Sequence, residues 1–223
     1  MVSTKVVTGR KSRSSNKGTG DKGTNGKINN KMEKVEMNTS MKLSEHFSLG
    51  ELTKTKHVTP DGNIPSHVVI ENLKRICENW LEDLRYSYNT LYCLQPGEDY
   101  ETSKNTEPII INNGYRSPAV NKLAGGAKTS NHLSGCAVDI RCVGKEQMIR
   151  YASILLDIAD DTKQDLTSSR VCSRSAESMQ ASRCTRSPAD FDELLLEQHG
   201  SVWWLHFAVR PKDNRRKIEF LKT

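Results

Sequence analysis

The chain has 223 residues, with 33 Lys/Arg against 27 Asp/Glu and a formal charge of +6. Its length suits one domain with a tail, and no apolar run approaches the roughly 18 residues needed to span a membrane. Residues 1–35 hold nine Lys/Arg against two Asp/Glu, whereas 41–223 hold 24 of each, so the basic balance belongs to the tail and argues against a nucleic-acid-binding body.

Residues 1–40 are rich in Lys, Gly, Ser, Thr and Asn. Such a segment buries too little apolar surface to offset its ordering entropy and is expected to be disordered. The tail suits an anionic surface or nucleic acid as partner. A solvated tail, or upstream sequence ahead of a domain that begins at Met41, is the plainer account. The N-terminus shows no apolar h-region, so synthesis in the cytoplasm without a secretory signal is expected.

The ordered domain is expected over 41–223. Ser44 or Ser48 caps a short first helix, and TPDGNIP at 59–65 is turn chemistry. In the next stretch Ile70, Leu73, Cys77, Trp80, Leu81, Leu84 and Tyr88 recur at three- and four-residue steps between charges. That spacing predicts a long amphipathic helix. PIIIN at 108–112 reads as a buried strand. Ser117-Pro118 then opens a short helix that Gly125 and Gly126 close. CAVDIRCV alternates, with Cys136, Val138, Ile140 and Cys142 on one side and Ala137, Asp139 and Arg141 on the other, which predicts a half-buried strand. A second amphipathic helix follows at 145–160. Residues 161–188, rich in Ser, Arg and Thr, read as a long surface insertion. Two apolar runs flank His199-Gly200 and predict a β-hairpin, with a helix over 189–198 as the competing reading. The six cysteines lack CxxC pairs and are expected to be mostly reduced thiols, with a Cys172–Cys184 bridge as an alternative.

The chemistry concentrates in SNHLSGCAVDI, residues 130–140. A catalytic zinc takes three protein ligands and keeps a fourth position for water. His132 lies in a turn made tight by Ser134 and Gly135, Asp139 on the strand that follows, and His206 on the second hairpin strand. A carboxylate in an apolar strand is costly unless it is paired or metal-bound. A salt bridge from Arg141 or Arg116 satisfies Asp139 equally well, so spacing leaves both readings open. His46, His57, His67 and His199 lie at turns or helix starts and are weak candidates.

The segments GYRSPAVN, GGAKTSNHLSGCAVDI and FDELLLEQHGSVWWLHFAV resemble the zinc D-Ala-D-Ala carboxypeptidase family, in the short branch of bacteria and their phages. The family pattern Ser-x-His-x-x-Gly-x-Ala-x-Asp appears as Ser130, His132, Gly135, Ala137 and Asp139, and its second histidine as His206 in WWLH. The likeness runs from about 44 to 221. It implies an α+β domain, an antiparallel sheet with helices packed on one side. It also implies zinc as cofactor on His132, Asp139 and His206, with Arg116 against the substrate or the developing oxyanion. Ser130 would orient a ligand or substrate, or merely cap its turn. The implied activity is a metallopeptidase acting on the stem peptide of peptidoglycan, carboxypeptidase-like or endolysin-like, with phage-type release to the cell wall. One position departs from the pattern. Three residues before His206, where the family commonly carries its acidic general base, stands Trp203. Glu197, with Glu193 on the same strand face, is the candidate replacement, and a binding module without catalysis is the alternative.

Overall fold

The computed structural model describes residues 37–160 and 190–222 in full and the backbone of 161–164. The tail before residue 37, the insertion beyond 164 and the Cys172–Cys184 pair lie outside the described residues. Helix α1 (Leu49–Thr53) starts on Ser48 in a capping box with Glu51, which satisfies donors that a helix start leaves open. The long helix runs as α2 (His67–Ile76), a π turn (Cys77–Leu81) and α3 (Glu82–Tyr92). Leu73, Ile76, Cys77, Trp80, Leu81 and Leu84 are all but completely buried. Ile70, expected in that stripe, is half-buried, and Ile76 faces the core as well. Pro118–Leu123 forms α4 behind the Ser117 cap, and α5 (Lys145–Gln164) continues four residues past its expected end.

Five strands form one sheet: β1 (Ile111–Asn113), β2 (Ala137–Cys142), β3 (Glu193–His199), β4 (Val202–Ala208) and β5 (Lys217–Lys222), in the order β1-β2-β4-β3-β5. The hairpin is β3–β4, turning at Gly200, whose φ is 57°. β2 pairs antiparallel with β1 and β4. The sheet is mixed and not wholly antiparallel, because β5 runs parallel to β3. The register explains this. β4 ends with Ala208 opposite Glu193, and β5 begins with Lys217 opposite the same residue. The link between them turns round one end of β3 and never travels back along it.

Helices cover one face. Val138, Ile140, Leu194, Leu205 and Phe207 are buried there with the α2, α3 and α5 side chains, and Trp80 meets Phe207 edge-on at 5.0 Å between ring centroids. Each such large side chain contributes about 1.5–3 kcal/mol on burial. Because side chains alternate along a strand, Asp139, Leu195 and His206 share the opposite face, aligned across three strands. Cys77, Cys93, Cys136 and Cys142 are free thiols, and no helix among the described residues is long and apolar enough to cross a membrane.

Candidate metal centre

The first donor is set by a turn. Ser130 Oγ accepts the His132 N–H at 3.3 Å and opens a one-turn 3₁₀ segment, Asn131–Ser134. Gly135 ends it at φ 68°, and a Cβ there would sit 2.7 Å from the Val69 carbonyl oxygen. The positive φ and the close backbone both require glycine. The His132 ring is buried, with Nδ1 2.6 Å from the Gly114 carbonyl. That carbonyl can only accept, so Nδ1 donates to it and Nε2 is the nitrogen turned towards Asp139. Gly114 itself lies against Leu52, and a Cβ on it would stand 2.3 Å from the Leu52 oxygen. Gly114→Ala is therefore expected to push this loop out, destabilise the fold by about 1–3 kcal/mol and weaken zinc binding. Denaturant unfolding beside a chelator-competition titration checks both effects.

The other two donors come from paired strands. Asp139 and His206 are cross-strand partners on β2 and β4. Asp139 Oδ1 lies 2.9 Å from His206 Nδ1 and 3.2 Å from His132 Nε2. The three donor atoms lie within 4.8 Å of one another. The second oxygen, Oδ2, accepts from Arg116 at 2.5 Å and from Asn113 at 3.1 Å. Asn113 reaches it because β1 carries a bulge. Ile111 pairs with Ile140 and Asn113 with the adjacent Asp139, leaving Asn112 as the extra residue. Burial works to raise the Asp139 pKa, but His132 and His206 hold it below the usual carboxylate range. Two imidazoles and one buried carboxylate oxygen, with the other oxygen already occupied, suit zinc in its three-ligand form. The salt bridge to Arg116 and the metal triangle thus use different oxygens of one carboxylate, so the two readings of Asp139 coexist. Among the described residues no other group of His, Cys, Asp and Glu converges in this way. His46, for instance, is engaged by Glu82 and Arg85.

The triangle opens into a cavity of about 640 Å³. Arg116, Ser130 and Glu197 line it together with the three donors. Ser130 caps the 3₁₀ turn and also fronts this space. Burial raises the Glu197 pKa above its ordinary value. Trp203 pairs with Cys142 and Gln198 and packs with the core on the helix-covered face. In a regular strand the residue three before His206 points away from it, so the metal-side face of β4 carries Trp204 instead. Glu193 stands 3.6 Å from His206 Nε2. Asn113, Asn131 and Asp192, all in contact with the centre or its supports, escaped the sequence reading, since single Asn and Asp residues carry no periodic signal.

The carboxylates around His206 favour its protonated form. Burial lowers its pKa, yet the carboxylates of Asp139 and Glu193 outweigh that and push it up to about 9. A metal bound at Nδ1 displaces the proton from that nitrogen and leaves the one on Nε2. Zinc uptake near neutral pH is expected to release about one proton, with affinity rising as pH climbs towards the His206 value. Calorimetric titration in buffers of different ionisation enthalpy measures that release.

A family model described as Peptidase M15 matches residues 45–159, slightly more than half of the chain. The match takes in His132 and Asp139 and stops before β3 and β4, so His206 enters the centre through geometry. No curated protein matches the chain.

Proposed function

The chain belongs to the peptidase M15 family, and on that premise we propose that it is a zinc-dependent peptidase that cleaves a bond in the stem peptide of bacterial peptidoglycan. The observation that carries this reading is the convergence of His132, Asp139 and His206 at a cavity that also holds Glu197 and Arg116. His132, Asp139 and His206 would hold the zinc, which when bound would supply Lewis acidity for the scissile carbonyl and for a water. Glu197 takes the proton of the attacking water and passes it to the leaving amine. Its burial-raised pKa moves the group towards working pH, where proton transfer is most effective. Arg116 is anchored through one nitrogen on Asp139 and presents permanent charge to the oxygen that becomes negative. Ser130, on the rim of the same cavity, contacts the substrate. Whether the bond is D-Ala-D-Ala, as in the carboxypeptidase branch, or an internal one, as in an endolysin, a phage-type role with release to the wall by other means fits the sequence. The basic tail would add attraction to an anionic surface.

A second reading, a zinc-containing module that binds wall peptide without cutting it, is favoured by Trp203 in place of the usual acid. Zinc content and muropeptide hydrolysis by the full chain decide between the two. Turnover that chelation removes and zinc restores supports the enzyme. One bound zinc with no turnover supports the binder.

A further inference from the structure

Two glutamates on β3, Glu193 and Glu197, flank Leu195, which sits opposite His206, and the mechanism uses only Glu197. We infer that Glu193 is a positioning residue for the metal centre, receiving the Nε2–H of His206 and fixing that ring so that Nδ1 faces the metal. This rests on the reading of His132, Asp139 and His206 as one centre, but not on the identity of the substrate or on catalysis.

The geometry separates the two glutamates. His206 Nδ1 lies in the donor triangle, 2.9 Å from Asp139 Oδ1, so in the metal-bound ring the proton must sit on Nε2. The carboxylate that faces Nε2 is Glu193, its Oε2 at an ion-pair distance of 3.6 Å. Glu193 is not free to swing towards a substrate. Arg215 holds its Oε1 at 2.7 Å, and Asn131 donates to its Oε2 at 3.0 Å. Both holders are themselves tied to Asp192. Arg215 donates to it from Nε and Nη2, each at 2.8 Å, and Asn131 donates at 2.8 Å. Asn131 is also the residue before His132. One adjacent pair of acids at the start of β3 therefore braces both imidazole ligands, one ring directly and the other through its turn. Among the described residues Glu197 has no such clamp, and it lines the open cavity.

A carboxylate behind a metal-bound histidine orients the ring and raises its basicity, and losing such a partner typically costs about 10–100-fold in metal affinity. Zinc affinity of Glu193→Ala, Glu193→Gln and Glu197→Ala, measured by competition with a fluorescent chelator, tests the assignment without reference to turnover. Glu193→Ala is expected to bind zinc about 10–100-fold more weakly than wild type. Glu193→Gln, which keeps an acceptor oxygen for Nε2–H, is expected to recover much of that loss. Glu197→Ala should stay close to wild type. The visible spectrum of the cobalt(II)-substituted protein should change for Glu193→Ala. Thermal melts in chelator establish that each variant is folded. Wild-type zinc affinity and an unaltered cobalt spectrum in a folded Glu193→Ala would overturn the assignment, as would equal weakening by Glu193→Ala and Glu197→Ala. If wild type binds zinc and hydrolyses no muropeptide, the peptidase reading fails while these affinities still judge Glu193.

Discussion

Glu197→Gln is expected to keep one zinc per chain and to lose about 10²–10⁴-fold in turnover, the span that a positioned acid or base contributes. The substitution is nearly isosteric and keeps the cross-strand place beside Trp204 that Glu197 holds. What it removes is the capacity to take a proton. Because Glu197 touches none of the donor pairs that define the centre, the metal should stay in place, and the loss should appear in kcat more than in KM. Zinc analysis by mass spectrometry and single-turnover rates on a muropeptide report the two quantities separately. A rate within a few-fold of wild type would remove Glu197 from the mechanism. Trp203 offers no substitute, since it lies with the core on the other face of the sheet.

Asp192→Ala is expected to cost about 3–5 kcal/mol of stability, the range for removing one partner of a buried ion pair, and to fall near the lower end because both arginines reach solvent. Asp192 is 0% exposed. It accepts from Arg210, Arg215 and Asn131, and its backbone pairs with Ala208 and Lys217. Its side chain therefore staples the link that brings β5 alongside β3. Burial works to raise its pKa, but the hydrogen bonds from Arg215, Arg210 and Asn131 hold it below the usual carboxylate range. A depressed pKa means that the stabilisation is present above the ordinary carboxylate value and is lost as pH falls towards the native one. In urea, with zinc chelated, Asp192→Ala should unfold at lower denaturant than wild type near neutral pH. That gap should narrow as the solution is made acid. An unchanged midpoint would mean that Arg210 and Arg215 hold the link by other contacts.

Local chemistry carried much of this structure. Ser48, Ser66 and Ser117 cap helices because a short side-chain oxygen serves open N–H groups whatever the tertiary context. The alternation in CAVDIRCV placed Asp139 opposite the apolar set, as the strand has it, but the strand is buried on both faces save at Arg141 and not half-buried as expected. Two apolar runs about Gly200 were enough for the hairpin. Where the reading stopped short, the missing information was non-local. PIIIN reads as a strand from Pro108, yet pairing begins at Ile111 and includes a bulge, because β1 is bounded by what β2 offers and not by its own apolar content. The sheet was expected to be antiparallel throughout, and the parallel β5 depends on Asp192 gathering arginines from a link further along the chain.

The same division runs through the metal centre. By itself the sequence determined the donor types, the tight turn at Gly135 that presents His132, and the strand parity that puts Asp139 and His206 on sheet faces, since these follow from backbone sterics and a period of two. Only the tertiary structure decided that those faces coincide, because the β2–β4 register is a choice among slips that one strand cannot make alone. It also decided which oxygen of Asp139 Arg116 takes, and it distinguished the two glutamates of β3. Each of those outcomes depends on side chains brought together from distant parts of the chain, where distance and burial, and not spacing, set the chemistry.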